Sequence, residues 1–214
     1  MKLARRMLPL VVVCLCGVSA QVSAQSVRFK GTTTGCFYTK VVCTPSAEAT
    51  KGVLKFKQGS FDATTTDGYL KLSGPTNNLG WFSVGGATRN YDGLGFLLNV
   101  NFERPYVTTA GDAGVASPNA VFTAAISGSV RANSTNSGVT IAFADEAQIF
   151  GFNGSGNSGS FGLKVADLDL TPGGGHTALT GEIQATATPE PATLTLLATG
   201  LAGLIPVARR RRTA

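Results

Sequence analysis

The sequence predicts an all-β fold, an antiparallel β-sandwich of jelly-roll or immunoglobulin-like topology, with a curled barrel as the alternative. Three observations lead to this prediction. Short segments alternate apolar and polar residues with a period of two, turn-forming Gly, Asn, Asp and Thr separate them, and no amphipathic helix pattern occurs between the two termini. With 27 glycines and 14% charged residues in 214, the composition supplies both turns and apolar material for one compact domain.

The clearest predicted strand is 95–102, in which Phe96, Leu98, Val100 and Phe102 share one face. The same alternation predicts strands at 53–57, 69–73, 139–143 and 161–165. Further candidate strands lie at 80–84, 121–130, 148–152 and 178–186. Two segments rich in Gly, Ser and Asn are predicted to be loops at sheet edges, 108–119 and 153–160.

The N-terminus has the pattern of a secretory signal peptide, residues 1–24. A basic start precedes the apolar run 7–18, and the tetrapeptide Val-Ser-Ala-Gln then occurs twice. Cleavage is predicted after Ala24, which leaves Gln25 as the first residue, with the position after Ala20 as the alternative. The sequence therefore predicts a signal helix, export through the Sec translocon, and removal of the helix by signal peptidase.

The C-terminus has the pattern of a membrane segment. Residues 192–208 carry no charge across 17 positions, and as a helix they span about 25 Å, close to the thickness of a bilayer core. Four arginines follow and predict a stop-transfer signal that stays cytoplasmic. The predicted organisation is an exported domain at 25–185, a linker at 186–191, a transmembrane helix at 192–208 and a cytoplasmic tail at 209–214. The stop-transfer residues are Arg209, Arg210, Arg211 and Arg212.

The triplet Pro189, Glu190 and Pro191, the apolar segment and the arginine cluster together resemble the PEP-CTERM sorting signal of Gram-negative bacteria. The resemblance covers residues 188–212. It implies recognition at the inner membrane by an exosortase, a membrane-embedded cysteine protease or transpeptidase. It also implies an inner-membrane-anchored precursor, whose domain is then released to the cell surface or an exopolysaccharide matrix. The triplet would be a substrate motif for that enzyme, without a catalytic role in this chain.

The mature chain is predicted to keep one pair of cysteines. Cys14 and Cys16 leave with the signal peptide, and an isolated pair in an exported domain, Cys36 and Cys43, is most simply a disulfide. Two geometries remain open. A two-residue turn at 39–40 would place the cysteines opposite each other on paired strands, whereas an irregular loop would be clipped at its base.

The net charge of +6 suggests a nucleic-acid partner until the charges are located. Seven Lys and Arg lie in the two terminal signals, and residues 26–188 carry eleven Lys/Arg and eleven Asp/Glu. No nucleic-acid partner is therefore predicted. The early part of the mature chain is nevertheless basic, and Lys55 and Lys57 are predicted to share one sheet face. A solvated face is the simpler interpretation of this patch, and attraction of an acidic polysaccharide is the alternative. The basic residues are Arg28, Lys30, Lys40, Lys51, Lys55 and Lys57.

The sequence offers little for catalysis. His176 is the single histidine and follows three glycines, and no serine lies in a nucleophile-elbow context. The carboxylate pairs available for glycoside hydrolysis are 145–146 and 167 with 169, and a solvated position is the simpler interpretation of both. No metal, cofactor or enzymatic activity is predicted.

Three hypotheses of different class remain. The first is a non-catalytic surface or matrix protein. The second is a carbohydrate-binding module for exopolysaccharide, which requires an aromatic face gathering Trp81 with a tyrosine such as Tyr91 or Tyr106. The third is a secreted hydrolase, which requires His176 or a carboxylate pair in a cleft.

Overall fold

The computed structural model describes residues 26–40, 43–105, 107–108, 119–131, 137–154 and 157–188. Its sheets are all antiparallel, and these ranges contain no helix, so the predicted all-β class is confirmed. The described part of the chain accordingly has no helix long and apolar enough to cross a membrane. The predicted signal helix at 1–24 and transmembrane helix at 192–208 lie outside the described residues.

The strands are numbered in chain order. They are β1 (Arg28–Tyr38), β2 (Glu48–Lys51), β3 (Leu54–Lys57), β4 (Ser60–Thr64), β5 (Tyr69–Leu72), β6 (Trp81–Val84), β7 (Arg89–Asn90), β8 (Leu94–Arg104), β9 (Val107–Thr108), β10 (Asn119–Val130), β11 (Gly138–Phe143), β12 (Gln148–Gly154), β13 (Asn157–Val165), β14 (Leu168–Leu170), β15 (Thr177–Ala178) and β16 (Gly181–Thr188).

The strands form three sheets. The large sheet has the order β14-β11-β10-β8-β1-β4, with β7 paired to β10 as its seventh strand. A five-stranded sheet has the order β5-β16-β13-β12-β9, and a four-stranded sheet has the order β15-β6-β3-β2. Many strands that follow each other in the sequence are not neighbours in these sheets. The alternation of side chains along the sequence therefore predicts individual strands but not the order in which they pair.

Both smaller sheets pack against the same face of the large sheet. Near one end of β8, the ring of Phe96 lies 5.0 Å from that of Phe82 in the four-stranded sheet. Near the other end of β8, the ring of Phe102 lies 5.1 Å from that of Phe161 in the five-stranded sheet. The predicted shared face of β8 is therefore the centre of the core, and its phenylalanines join the two layers.

The long strand β1 is not among the predicted strands. Its inner face carries Gly31 and Gly35 where apolar side chains are expected, so the period-two pattern is absent. The rings of neighbouring strands occupy the space instead. A Cβ on Gly31 would meet the Phe61 ring at 2.5 Å, and one on Gly35 would collide with the Phe96 ring. Glycine is thus required where aromatic side chains of adjacent strands cross the inner face of β1.

Two predicted boundaries are corrected by the strand pairing. The predicted loop at 153–160 is largely the paired ends of a hairpin, with Asn153 opposite Ser158 and Gly154 opposite Asn157. The predicted linker at 186–191 begins inside β16, whose last residue, Thr188, is paired with Ser158. Main-chain hydrogen bonding does not require apolar side chains. Both strand ends carry small polar residues, so no apolar alternation marks them in the sequence.

The disulfide between Cys36 and Cys43 is present, with the two Cα atoms 6.0 Å apart. The chain returns beside β1 at Ser46, which exchanges backbone hydrogen bonds of 2.9 and 3.0 Å with Gly35. A two-residue turn would have placed residue 44 at that position. The disulfide therefore clips an irregular loop, which was one of the two geometries predicted.

Candidate functional site

A surface depression of about 220 Å³ lies on the outer face of the four-stranded sheet. It brings together the single tryptophan, the single histidine and two lysines of the basic early segment. Its lining residues are Glu48, Thr50, Lys55, Phe56, Lys57, Trp81, Ser83 and His176.

The depression follows from the alternation along β2, β3 and β6. In β3 the buried residues Leu54 and Phe56 alternate with the exposed residues Lys55 and Lys57. This confirms that the two lysines share one face. In the sheet, Lys57 is opposite Trp81 on one side and Glu48 on the other. Lys55 lies in the same way between residues 50 and 83 of the neighbouring strands.

The floor of the depression is rigid. Phe56 is 1% exposed, and its ring lies 5.1 Å from Phe82 and 5.0 Å from Phe96. The sheet that carries the lysines is thus packed onto the core through three interlocked rings. Such packing fixes the strands before any ligand arrives, so the outward side chains have a preorganised base.

The turn before β6 sets the position of Trp81. Gly80 has a φ of 133°, and a Cβ at this position would collide with the Phe56 ring. The buried Asn78 stabilises the turn, because its Oδ1 accepts a hydrogen bond of 3.0 Å from the Gly80 amide while its Nδ2 donates to the Gly74 carbonyl at 3.0 Å. The start of the strand bearing Trp81 is therefore defined by local hydrogen bonds and close backbone approach.

Two of the six basic residues of the early segment form ion pairs with described residues. Arg28 pairs with Asp62 at 2.7 Å, and Lys30 pairs with Glu103 at 2.5 Å. The hydrogen bond from Arg28, reinforced by the nearby positive charge, holds the pKa of the Asp62 carboxyl below its usual value. Lys55 and Lys57 make no ion pair with any residue that the structure describes. Of the basic residues without such an ion pair, Lys55 and Lys57 lie at the depression.

A second depression, on the outer face of the five-stranded sheet, has a different character. It includes Tyr69, Lys164 and Glu182, and the last two are directly opposite each other on paired strands. The side-chain hydrogen bond to Glu182, together with desolvation and the negative charge, raises the pKa of Tyr69. The charged groups of this second depression, Lys164 and Glu182, thus face each other across paired strands. Ile149, 63% exposed, lies beside them.

Of the two tyrosines named as possible companions of Trp81, the described one, Tyr91, does not line its depression. Tyr91 is 3% exposed, and its hydroxyl accepts a hydrogen bond of 3.2 Å from the Val53 amide. It packs in the core, so the expectation of a glycan contact at Tyr91 is corrected. Tyr106 lies outside the described residues. Trp81 itself is half-buried at the surface depression.

The groups considered for catalysis are placed as follows. His176 is exposed at the end of the loop before β15, where it lines the depression. Asp167 accepts a hydrogen bond of 2.8 Å from the Phe143 amide, and Asp169 accepts one of 2.7 Å from the Thr140 hydroxyl. The pair 145–146 lies at an exposed bend. Within the described ranges no group of three or more His, Cys, Asp or Glu side chains is arranged to hold a metal ion.

The end of the described fold leads directly into the predicted signal. β16 ends at Thr188, one residue before the triplet 189–191. Residues 187–212 match the family model of the PEP-CTERM protein-sorting motif. The chain carries a PEP-CTERM sorting signal. This confirms the resemblance and supports exosortase-dependent sorting of an exported protein.

The PEP-CTERM signal implies a membrane-anchored precursor that is processed to the cell surface, with an exosortase as the processing partner. Comparison with curated proteins and with solved structures finds no match to the chain. The predicted recognition triplet, arginine cluster and signal peptidase site all lie outside the described residues.

Proposed function

We propose that this chain is a non-catalytic protein of the cell surface or extracellular matrix, exported by the Sec translocon and cleaved by an exosortase at or near Pro189, Glu190 and Pro191. Its exported domain is a β-sandwich that serves as a structural or adhesive unit. The observation that carries the proposal is the sorting motif at 187–212, which starts within the last strand of the fold.

The abrupt junction supports this interpretation. The strand partners of β16 lie at 69–72 and 158–165, well before the motif. Removal of residues after the triplet would therefore leave every described strand pair in place. A protein processed in this way is released as a folded domain, because all the described strand pairs lie before the triplet.

The surroundings of His176 support a non-catalytic role. Ser83 and Glu48 line the same depression, but no hydrogen bond joins either of them to His176 within the described residues. A nucleophile and its general base need hydrogen-bonding contact, and the base needs a partner that orients it. The two aspartates of β14 and its approach already accept hydrogen bonds from β11, which supports a structural use of their carboxylates.

The test of the proposal is the mass of the mature protein. The chain is expressed for export in matched strains with and without an exosortase, and both products are measured by intact mass spectrometry. We expect loss of residues 1–24 in both strains and loss of the segment after the triplet only when the enzyme is present. Retention of residues 189–214 in the presence of the enzyme would contradict the proposal.

Matched variants separate the motif from general effects on folding. Replacing Pro189 and Glu190 with alanine is expected to leave the precursor uncleaved and membrane-bound. The control replaces Pro172, in the loop between β14 and β15, with alanine. This control should be processed like the unmodified chain. If the motif variant and the control were processed equally, the triplet would not be required for recognition by the exosortase.

A further inference from the structure

We propose that the depression at Trp81 binds a carboxylated polysaccharide chain through the indole of Trp81 and the ammonium groups of Lys55 and Lys57. The inference rests on the proposed function in one respect only, since the domain must be exported in order to meet such a polysaccharide. The binding chemistry follows from the depression itself.

The indole provides the contact for a sugar ring. Trp81 is half-buried, so one part of its ring is held by the sheet while the rest borders the depression. The C–H groups on one side of a pyranose form an apolar surface that packs on an aromatic face, and tryptophan offers the largest such face at little entropic cost. Its backbone is fixed by the turn at Gly80, so the ring is presented from a defined position.

The lysines provide the contact for the carboxylates. Lys55 and Lys57 are two residues apart on one strand, which separates their Cα atoms by about 7 Å along β3. Lys57 is directly opposite Trp81, so a charge lies beside the stacking surface. A polymer with a carboxylate on each of successive sugars can contact both ammonium groups, and such hydrogen bonds between charged groups are stronger than neutral ones.

The combination favours a polysaccharide over an acidic polypeptide. The carboxylates of a polypeptide are carried on flexible side chains, and a run of Asp or Glu has no ring to pack against the indole. Two other surface depressions among the described residues lack this combination. One has Lys164 opposite Glu182, and the other contains the ion pair between Lys30 and Glu103.

Glu48 lies on the rim of the depression, opposite Lys57 on the edge strand β2. Its carboxylate opposes binding of a polyanion and reduces the positive charge of the site. This residue gives the proposal a variant expected to strengthen binding, which a merely destabilising substitution does not do.

The test measures binding of the exported chain, purified in mild detergent, to polygalacturonate. Dextran serves as the neutral polysaccharide and poly-L-glutamate as the acidic polypeptide. Since the chain has a single tryptophan, quenching of its fluorescence reports occupancy at the site. We expect binding to polygalacturonate that weakens as salt rises, and affinities for both comparison polymers that are about tenfold lower or more.

The variants assign the binding to named residues. Lys55→Gln with Lys57→Gln, and separately Trp81→Ala, are each expected to lower the affinity for polygalacturonate by about tenfold or more. Trp81→Ala is followed by immobilised-ligand binding because it removes the fluorophore. Glu48→Gln is expected to raise the affinity by about threefold. The matched control is Lys71→Gln with Lys164→Gln, two exposed lysines of the five-stranded sheet, and it should change the affinity by less than about twofold.

Several results would overturn the inference. If dextran bound as tightly as polygalacturonate, charge would not contribute to binding. If poly-L-glutamate bound as tightly as polygalacturonate, the sugar ring would not contribute. An unchanged affinity in the Lys55 and Lys57 variant, or an equal loss in the control, would place binding elsewhere. None of these results alters the mass of the mature protein, so a failure of this inference is distinguishable from a failure of the proposed sorting.

Discussion

Thr33 and Leu79 are joined by a buried hydrogen bond in which the Thr33 hydroxyl donates to the Leu79 carbonyl at 2.9 Å. The same hydroxyl oxygen accepts a hydrogen bond of 2.8 Å from the Gly59 amide, and Thr33 is fully buried. One side chain of the large sheet thus satisfies two backbone groups in the segments that flank β3 and β6. It links the core to the strands that carry Trp81 and the lysines.

Replacing Thr33 with valine is expected to lower the free energy of unfolding by roughly 1–3 kcal/mol, because a buried amide and a buried carbonyl both lose their partner. Urea unfolding followed by Trp81 fluorescence measures this change. Thr33→Ser retains the hydroxyl and serves as the control. A valine variant as stable as the serine variant would show that these hydrogen bonds do not contribute to stability.

Replacing Gly80 with alanine is expected to destabilise the protein by roughly 1–3 kcal/mol, since the residue has a φ of 133° and an added Cβ collides with the Phe56 ring. The tryptophan emission should also shift, because Trp81 follows directly. Gly86→Ala is the matched control, as a Cβ there has open space around it. If both variants unfold at the same urea concentration, the close approach at Gly80 is not a constraint.

Replacing both Cys36 and Cys43 with alanine is expected to lower the free energy of unfolding by roughly 2–3 kcal/mol, because the disulfide closes a short loop whose ends are free in the unfolded reduced chain. Chemical unfolding with and without reductant provides the comparison. The unmodified protein should lose a similar amount of stability in reductant, whereas the double variant should be insensitive to it. Sensitivity of the double variant to reductant would contradict this assignment.

The ion pair between Arg28 and Asp62 predicts a defined pH dependence. The side-chain hydrogen bond from Arg28 lowers the pKa of Asp62 in the folded state. A carboxyl with a depressed folded pKa stabilises the fold above its unfolded pKa, and the contribution is lost as the pH falls through the folded pKa. Both side chains are exposed, so the effect on stability is small.

The measurement for this pair is the carboxyl titration of Asp62 by nuclear magnetic resonance. Arg28→Gln should raise the pKa of Asp62 towards its ordinary value. Lys71→Gln, an exposed lysine on another sheet, should leave it unchanged. An unchanged Asp62 titration in the Arg28 variant would mean that the guanidinium does not hold the carboxylate in solution.

The strands with alternating apolar residues were predictable because one face of each is buried. β3, β8 and β11 lie within a few residues of the predicted segments. β1 was not predictable, because glycines stand at Gly31 and Gly35 where the pattern would require apolar side chains. Aromatic rings from neighbouring strands fill the space over these two glycines. The pairing that places those rings joins residues distant in sequence, and local patterning contains no information on it.

The candidate site was predictable in part. That Lys55 and Lys57 share a face follows from their spacing, whereas their proximity to Trp81 depends on the pairing of β3 with β6. The inclusion of His176 depends on β15 adding to the same sheet. Tyr91, named as a possible glycan contact, is buried instead. A tyrosine side chain is compatible with either place, and the hydrogen bond that its hydroxyl accepts from the Val53 amide favours the core.

The sequence by itself determined the all-β class, the cysteine pair and the sorting motif, since each of these depends on residues that are neighbours along the chain. The tertiary structure decided which of the basic residues form ion pairs. Arg28 and Lys30 pair with carboxylates on β4 and β8, while Lys55 and Lys57 form no ion pair with a described residue, although Glu48 lies opposite Lys57. The physical reason is that an ion pair requires opposite charges within a few ångströms of each other, and the order of the strands sets the distances between charges on different strands.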